Sequence, residues 1–333
     1  MDIPLFAIIL IAIALFFEFS NGFHDTANAV ATSISTKSLE PFQAISISAI
    51  FNLIGAFSGT AVAVTIAKGF ADPALATQGV ILAALLSAIT WNLLTWYFGI
   101  PSSSSHALIG GLVGAIMFNS GYKVINYMTI LYKVMIPMVI SPLIGFMVAM
   151  LIVVVIRRTL KHNTEPRKTN NFIRELQVLS TAFLSFSHGS NDAQKTMGII
   201  TLTLFNFHLI QSADVPRWVV FACAFCMAAG TMAGGMRIIK TLSTRVAKLE
   251  PTSGFAAELS SAIILFAGSR FGIPLSTTHA VSGSIMGAGN AGSTGKVGVN
   301  WSVVKNIVTA WVLTLPMCIL ISGVFIYIIK FFS

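Results

Sequence analysis

The sequence predicts an all-α polytopic membrane protein of two inverted-topology repeats, with broken or re-entrant helices meeting at a midplane site. Three observations carry that expectation. Of 333 residues, 55% are hydrophobic and only 9% charged, against roughly a quarter charged in a soluble chain; the mean hydropathy is +0.84. Ten apolar runs follow one another along the chain, and two short polar motifs recur in the same order inside them. So few charges cannot coat a soluble body of this size, which excludes an ordinary soluble enzyme. The net charge of +9 lies in short loops between apolar runs, the orienting pattern of a membrane protein and not the footprint of a nucleic-acid binder. Three cysteines exclude a disulfide scaffold, and no cofactor is expected.

The elements follow in order. Residues 3–17 are apolar, but Asp2 stands where a basic leader segment would be and no small-residue cleavage site follows, so a retained first helix is expected. The apolar runs cover about 3–20, 42–67, 78–98, 103–118 and 128–156, then 175–205, 217–238, 256–270, 275–290 and 303–329. Most reach the roughly 20 residues a spanning helix needs. The runs 103–118 and 275–290 are shorter and open with Pro and a Ser/Thr cluster, which marks them as the expected broken or re-entrant elements. Segment 157–174 carries six Lys/Arg and divides the chain into a first repeat (1–156), a basic cytoplasmic linker and a second, inverted repeat (175–333).

The halves match in two places. Gly99–Ala115 and Gly272–Ala288 are identical at nine of seventeen positions, an offset of 173; Asn21–Asn28 pairs with His188–Lys195 at an offset of 167. With the linker in the cytoplasm and five crossings per half, the loop at 237–250 (Arg237, Lys240, Arg245, Lys248) is also cytoplasmic, as are Lys37, Lys296 and Lys305, and both termini lie outside. An odd number of crossings inverts the second half, the arrangement of secondary transporters with a midplane site.

The polar residues inside the apolar runs are the candidate site. Asn21, His24, Asp25 and Asn28 share a helical face, as do His188, Asn191, Asp192 and Lys195, and Glu18 extends the first stripe. Charges at mid-bilayer cost about 2.5–3.5 kcal/mol each, so the stripes face each other or a wet cavity; interhelical hydrogen bonding is the plainer reading. Ser102, Ser103, Ser104 and Ser105, and Ser276, Thr277 and Thr278, follow a Pro and precede a helical run, so each cluster is a helix N-terminus. Such an end binds anions through free N–H groups, hydroxyls and the helix dipole, or is simply capped. An anion beside Asp25 and Asp192 requires a cation or a protonated carboxyl. Carboxylates, amides and hydroxyls suit Na⁺ or a divalent metal ion, making Asp25 and Asp192 the candidate cation ligands and symport the expected chemistry.

The segments NGFHDTANA and SHGSNDAQK, with GIPSSSSH and GIPLSTTH, resemble the duplicated signatures of the Pit family of inorganic phosphate transporters, in its bacterial low-affinity form, over essentially the whole chain. The resemblance implies inorganic phosphate as substrate, a coupled cation, inverted repeats, a homodimer in the cytoplasmic membrane, and a transport site containing Asp25, Asn28, Asp192 and the two hydroxyl clusters. One position departs from the pattern: where many members repeat the Asn, this chain has Lys195 opposite Asn28. An ammonium there replaces one bound Na⁺ and favours H⁺ coupling, as in the proton-linked bacterial members, which also carry metal–phosphate complexes; a structural Lys195–Asp192 pair is the alternative.

Asn21 and Asn191 join the coupling set. His106 and His279 follow the hydroxyl clusters as candidate phosphate or proton ligands, or as packing histidines. Glu258 has no acidic twin at Leu85 and is either an asymmetric proton or cation carrier or a helix-interface acid. Asn52, Asn92 and Thr95 are expected to bond between helices, Cys223 and Cys226 to pack in the core, and the pairs Gly55/Gly59, Gly110/Gly114, Gly230/Gly234 and Gly283/Gly287 to let helices approach. A Na⁺-coupled phosphate or sulfate permease is the alternative transporter. An intramembrane hydrolase using Ser104, His106 and an Asp is remote, because a duplicated site suits a carrier.

Overall fold

The computed structural model describes residues 4–160, 166–212, 214–292 and 298–332; Asp2 and Lys296, named above for their charge, lie outside them. The first half runs α1 (Leu5–Ser35), α2 (Pro41–Ala56), α3 (Ala61–Lys68), α4 (Gln78–Tyr97), α5 (Ser104–Ser120), the short α6 (Tyr127–Ile130) and α7 (Ile136–Thr159). The second runs α8 (Pro166–Asn206), α9 (Arg217–Ala233), α10 (Met236–Thr241), α11 (Pro251–Arg270), α12 (Thr277–Gly292) and α13 (Trp301–Phe332). No strand occurs among the described residues.

α1, α4, the continuous segment Tyr127–Thr159 and α13 are long and apolar enough to span a membrane. The runs 42–67 and 217–238 are each broken: α2 meets α3 at 69°, and α9 meets the segment Met236–Val246 at 59°. The sharp bends therefore fall there and not inside 103–118 or 275–290, which form the unbroken α5 and α12. Chemistry explains the shift. Ser58-Gly59-Thr60 and Gly234-Gly235 are poor helix formers, and Gly234 takes φ +68°, whereas the Pro and hydroxyls of GIPSSSSH and GIPLSTTH sit where a helix begins. Helices also fill most of segment 157–174: α7 ends at Thr159 and α8 starts at Pro166.

Packing repeats between the halves contact by contact. A Cβ on Gly22 would lie 2.4 Å from the Met227 carbonyl oxygen, and one on Gly189 2.1 Å from that of Asn52. Gly55 meets Phe186 as Gly230 meets Phe19; Gly110 meets Leu315 as Gly283 meets Pro142; Gly114 meets Ile319 as Gly287 meets Phe146. Each pair maps onto the other when the halves are exchanged. Lipid tails supply no hydrophobic drive between helices, so backbones brought close by glycine supply the association. Gly59 and Gly234 have no such contact, the nearest atoms being 3.8 and 3.5 Å away, so in those two pairs only Gly55 and Gly230 serve packing.

Two apolar cores result. One gathers Leu10, Phe17, Leu85, Leu112 and Met197; the other gathers Val30, Leu184, Leu242, Ile285 and Trp311. The polar middles of α1 and α8 lie between them. Val139, Leu143, Leu151, Val312, Leu320 and Val324 on α7 and α13 are exposed, as a lipid-facing surface requires.

Replacing Gly22 or Gly189 with Leu is expected to cost at least about 1–3 kcal/mol by overpacking, read as a lower Tm in detergent, whereas Gly59→Ala leaves Tm unchanged.

Candidate functional site

The two stripes lie near the middles of α1 and α8, and Asn21, His24, Asp25, Asn28, His188, Asn191, Asp192 and Lys195 are all buried. The N-termini of α5 and α12 meet them there. Ser103 Oγ accepts from the His106 N–H at 3.2 Å, and Ser276 Oγ from the His279 N–H at 3.3 Å. One hydroxyl in each cluster is thus a cap, and the next turns to an acid. Ser104 Oγ donates to Asp25 Oδ2 at 2.6 Å; Thr277 Oγ1 donates to Asp192 Oδ1 at 3.0 Å.

The remaining hydroxyls join the halves. Thr278 Oγ1 donates to the Ser102 carbonyl at 2.8 Å, and Ser105 Oγ to the Leu275 carbonyl at 3.2 Å. Asn28 Nδ2 donates to Thr278 Oγ1 at 3.0 Å, and Lys195 Nζ, its repeat equivalent, donates to Ser105 Oγ. Capping, acid contact and cross-half contact therefore each occur twice, on equivalent residues. Thr95 and the Leu275 carbonyl, which sequence reading did not place in the site, belong to it. Thr95 Oγ1 lies 3.2 Å from His24 Nε2 and accepts from Ser102 Oγ at 2.8 Å, the bond between helices expected of it, here made to a site residue.

The charges break the symmetry. Each acid has a histidine beside it, His24 Nδ1 at 2.8 Å from Asp25 Oδ1 and His188 Nε2 at 3.4 Å from Asp192 Oδ2. Asp192 has a fixed cation: Lys195 Nζ is 2.5 Å from Oδ1 and 3.1 Å from the Leu275 carbonyl, and Asn191 Nδ2 donates to the same Oδ1 at 2.7 Å. Asp25, His188 and Asp192 offer atoms within 4.8 Å of one another. Asn21 Oδ1, Asn28 Oδ1 and Asn191 Oδ1 are buried with no hydrogen-bond partner among the described residues; oxygens of this kind are what a hard cation binds.

Three candidates remain, and His279 Nδ1 lies 2.6 Å from Ser276 Oγ. His106 and His279 pack edge-to-face with centroids 4.8 Å apart, and His279 stacks on Trp311 at 4.0 Å. Glu258 bonds none of the other site residues. It accepts from Thr32 at 2.6 Å, Gln177 at 3.0 Å, Ser180 at 2.5 Å and Thr181 at 3.0 Å.

Asp192→Asn would leave the Lys195 ammonium buried without its carboxylate, an expected loss of about 3–5 kcal/mol. Asp25→Asn strands no ammonium and should cost less, and adding Lys195→Gln to Asp192→Asn should restore part of the loss; thermal unfolding in detergent reads all three.

A chain with this architecture and site has close relatives. A protein of Bacillus subtilis described as "Probable low-affinity inorganic phosphate transporter" is 45% identical over 334 residues, covering 99% of both chains. One of Rhizobium meliloti with the same description is 48% identical over 316 residues, covering 94% of this chain and 93% of that one. The solved structure described as "The sodium-dependent phosphate transporter" superposes with a TM-score of 0.87 at 23% identity, over 99% of this chain and 100% of that one; at that identity it speaks for the fold. The model of the phosphate transporter family matches residues 21–322, from the first polar stripe into the second half of α13. These relatives are transporters, which sets the hydrolase reading aside, and the chain belongs to the phosphate transporter family, the Pit family that its duplicated signatures resemble.

Proposed function

We propose that the chain is a secondary active symporter that moves inorganic phosphate across the cytoplasmic membrane with H⁺, as a homodimer whose two halves are inverted about the central site. Phosphate is bound by the first turns of α5 and α12, through Ser104, Ser105, Thr277, Thr278 and the outward N–H groups of each helix start. His106 and His279 fix those turns from behind. Asp25, with Asn21 and Asn28, takes the coupled cation. Glu258, in its own cluster of donors, is a second place for a proton or cation.

The observation that carries the choice of ion is the 2.5 Å contact of Lys195 with Asp192. Asn28, at the equivalent place on α1, offers an oxygen to a cation; Lys195 is itself the cation. One half thus keeps a site that can be filled and emptied, and the other keeps a fixed charge facing phosphate. A second reading, Na⁺ coupling or uptake of phosphate as a complex with a divalent metal ion, is favoured by the Asp25–His188–Asp192 cluster, and the solved structural relative is described as sodium-dependent.

In proteoliposomes, uptake of radiolabelled phosphate is expected to follow an imposed inward H⁺ gradient and to be indifferent to an inward Na⁺ gradient at constant pH; the opposite result overturns proton coupling. Lys195→Asn should create Na⁺ dependence, and excess sulfate should not compete. Asp25→Asn and Asp192→Asn should each abolish accumulation against a gradient. Ser104→Ala or Thr277→Ala should weaken phosphate binding by roughly 10- to 100-fold, the value of a hydrogen bond to a charged group, measured by isothermal calorimetry.

A further inference from the structure

The segment after the α9 break carries charges that the site described above does not use. α10 and the turn Leu242–Val246 that continues it bury Ile238, Ile239, Leu242 and Val246 and expose Arg237, Lys240, Arg245 and Lys248. Their depth follows from two contacts with α1. A Cβ on Gly235 would lie 2.5 Å from the Phe23 carbonyl oxygen, and Ser35 Oγ donates to the Ser243 carbonyl at 2.6 Å. The segment therefore runs beside the second half of α1, from its middle to its end, and Arg237 sits at the deep end, at the level of the site. Arg237 is exposed there, beside the exposed Tyr97, Phe98 and Met236, and a guanidinium at that level is stabilised by water and not by lipid.

Arg237 grips the turn that leads into the serine cluster. Its Nη1 donates to the Tyr97 carbonyl at 2.7 Å, and its guanidinium carbon lies 4.9 Å from the Trp96 ring centroid and 5.0 Å from that of Tyr97. Trp96 in turn packs on Phe23 of α1, centroids 4.8 Å apart. Gly99, two residues beyond Tyr97, accepts from Thr241 Oγ1 at 2.9 Å.

The other half has the same joint with a different grip, Lys133 Nζ donating to the Phe271 carbonyl at 3.1 Å. Thr65 Oγ1 donates to the Gly272 carbonyl at 2.7 Å, which sets the register: Arg237 corresponds to Ala61, Lys240 to Val64, Trp96 to Ser269 and Phe23 to Ser190. There the stack is replaced by hydroxyls, Ser58 Oγ donating to Ser190 Oγ at 2.5 Å and Ser190 Oγ to Ser269 Oγ at 3.1 Å. On α3 a single cation, Lys68, stands at the far end of an exposed face that begins with Ala61 and Val64.

We propose that an aqueous vestibule reaches Arg237 and that Arg237 is the gating residue for phosphate on the α10 side. Latched to Tyr97 and Trp96, it holds the α4–α5 turn against α1. Phosphate passing between the vestibule and the hydroxyl clusters takes the guanidinium from the carbonyl, because the planar fork binds an oxyanion in two places and the bond is charge-assisted. The turn is then free to move. Lys240, Arg245 and Lys248 continue outward as a cationic stripe that concentrates the anion. The opposite turn is held instead by Lys133 through a single ammonium bond to the Phe271 carbonyl, which has no planar fork to offer an oxyanion. The inference rests on the phosphate reading of the site.

The test uses the full chain in proteoliposomes, with Cys223, Cys226 and Cys318 replaced, and single cysteines at Arg237→Cys and Ala61→Cys. A membrane-impermeant thiol reagent should label position 237 from one face only, several-fold more slowly with phosphate present, and position 61 only from the other face. Arg237→Gln should raise the KM for phosphate roughly tenfold, as expected for one lost charge-assisted bond, and Arg237→Lys should recover part of it. Failure of position 237 to react from either face overturns the vestibule; labelling indifferent to phosphate, with an unchanged KM in Arg237→Gln, overturns the gate. If the cysteine-free parent takes up no radiolabelled phosphate, the phosphate reading itself falls; if it does and the variants behave otherwise than stated, only the gate falls.

Discussion

Two backbone carbonyls, those of Ser102 and Leu275, hold the centre of the molecule together. Each lies just before a helix start, inside a bilayer-spanning body where an unpaired carbonyl costs several kcal/mol. Each accepts the last hydroxyl of the opposite cluster, Thr278 or Ser105. That exchange fixes α5 against α12, and with them the direction of both helix dipoles. The acids on α1 and α8 are then placed by hydroxyls one residue earlier, Ser104 and Thr277. The glycine contacts around the site are what let the long helices come close enough for these bonds to form. Loss of the carbonyl pairing would leave two buried helix ends open and the two acids unsupported.

Much of this was legible in the sequence because the bilayer punishes polar residues. Asp25, Asp192, the amides and the hydroxyl clusters stand out against 9% charge, and a motif that appears twice is its own control. Helical spacing put each stripe on one face, and the structure buries every member. What stayed hidden has physical causes. The breaks at Ala56–Ala61 and Ala233–Met236 involve no Pro and lie in apolar runs whose length suited an unbroken helix. Conversely, Pro101 and Pro274 looked like interruptions because proline also begins helices. Thr95 was legible as a bond between helices but not as part of the site, and the Leu275 carbonyl could not be read at all, since such roles depend on tertiary neighbours. Glu258 was visible as an unmatched acid, but its separate cluster with Thr32, Gln177, Ser180 and Thr181 arises only when α1, α8 and α11 meet.

The likeness of the halves makes their differences informative. Equivalent positions share geometry, so a changed residue changes chemistry at nearly constant shape. Asn28 becomes Lys195, Leu85 becomes Glu258, and the Phe23–Trp96 stack becomes a pair of serines. The first alters charge at the site, the second adds an acid away from it, and the third alters the joint behind a helix turn. Identical halves would offer identical chemistry at the site; each of these substitutions makes the two halves chemically distinct.

The interlocking of the halves also bears on how such a site can diversify. In a dimer of separate, identical chains every substitution is made twice. A lysine at the Asn28 position would then bring two ammonium groups to one small cavity holding two carboxylates, leaving no charge for a mobile cation to balance. Joined in one chain, the halves can be changed one at a time. Lys195 beside Asp192, with Asn28 retained beside Asp25, is a combination that two identical chains cannot encode, and covalent linkage is in that sense part of the ion chemistry.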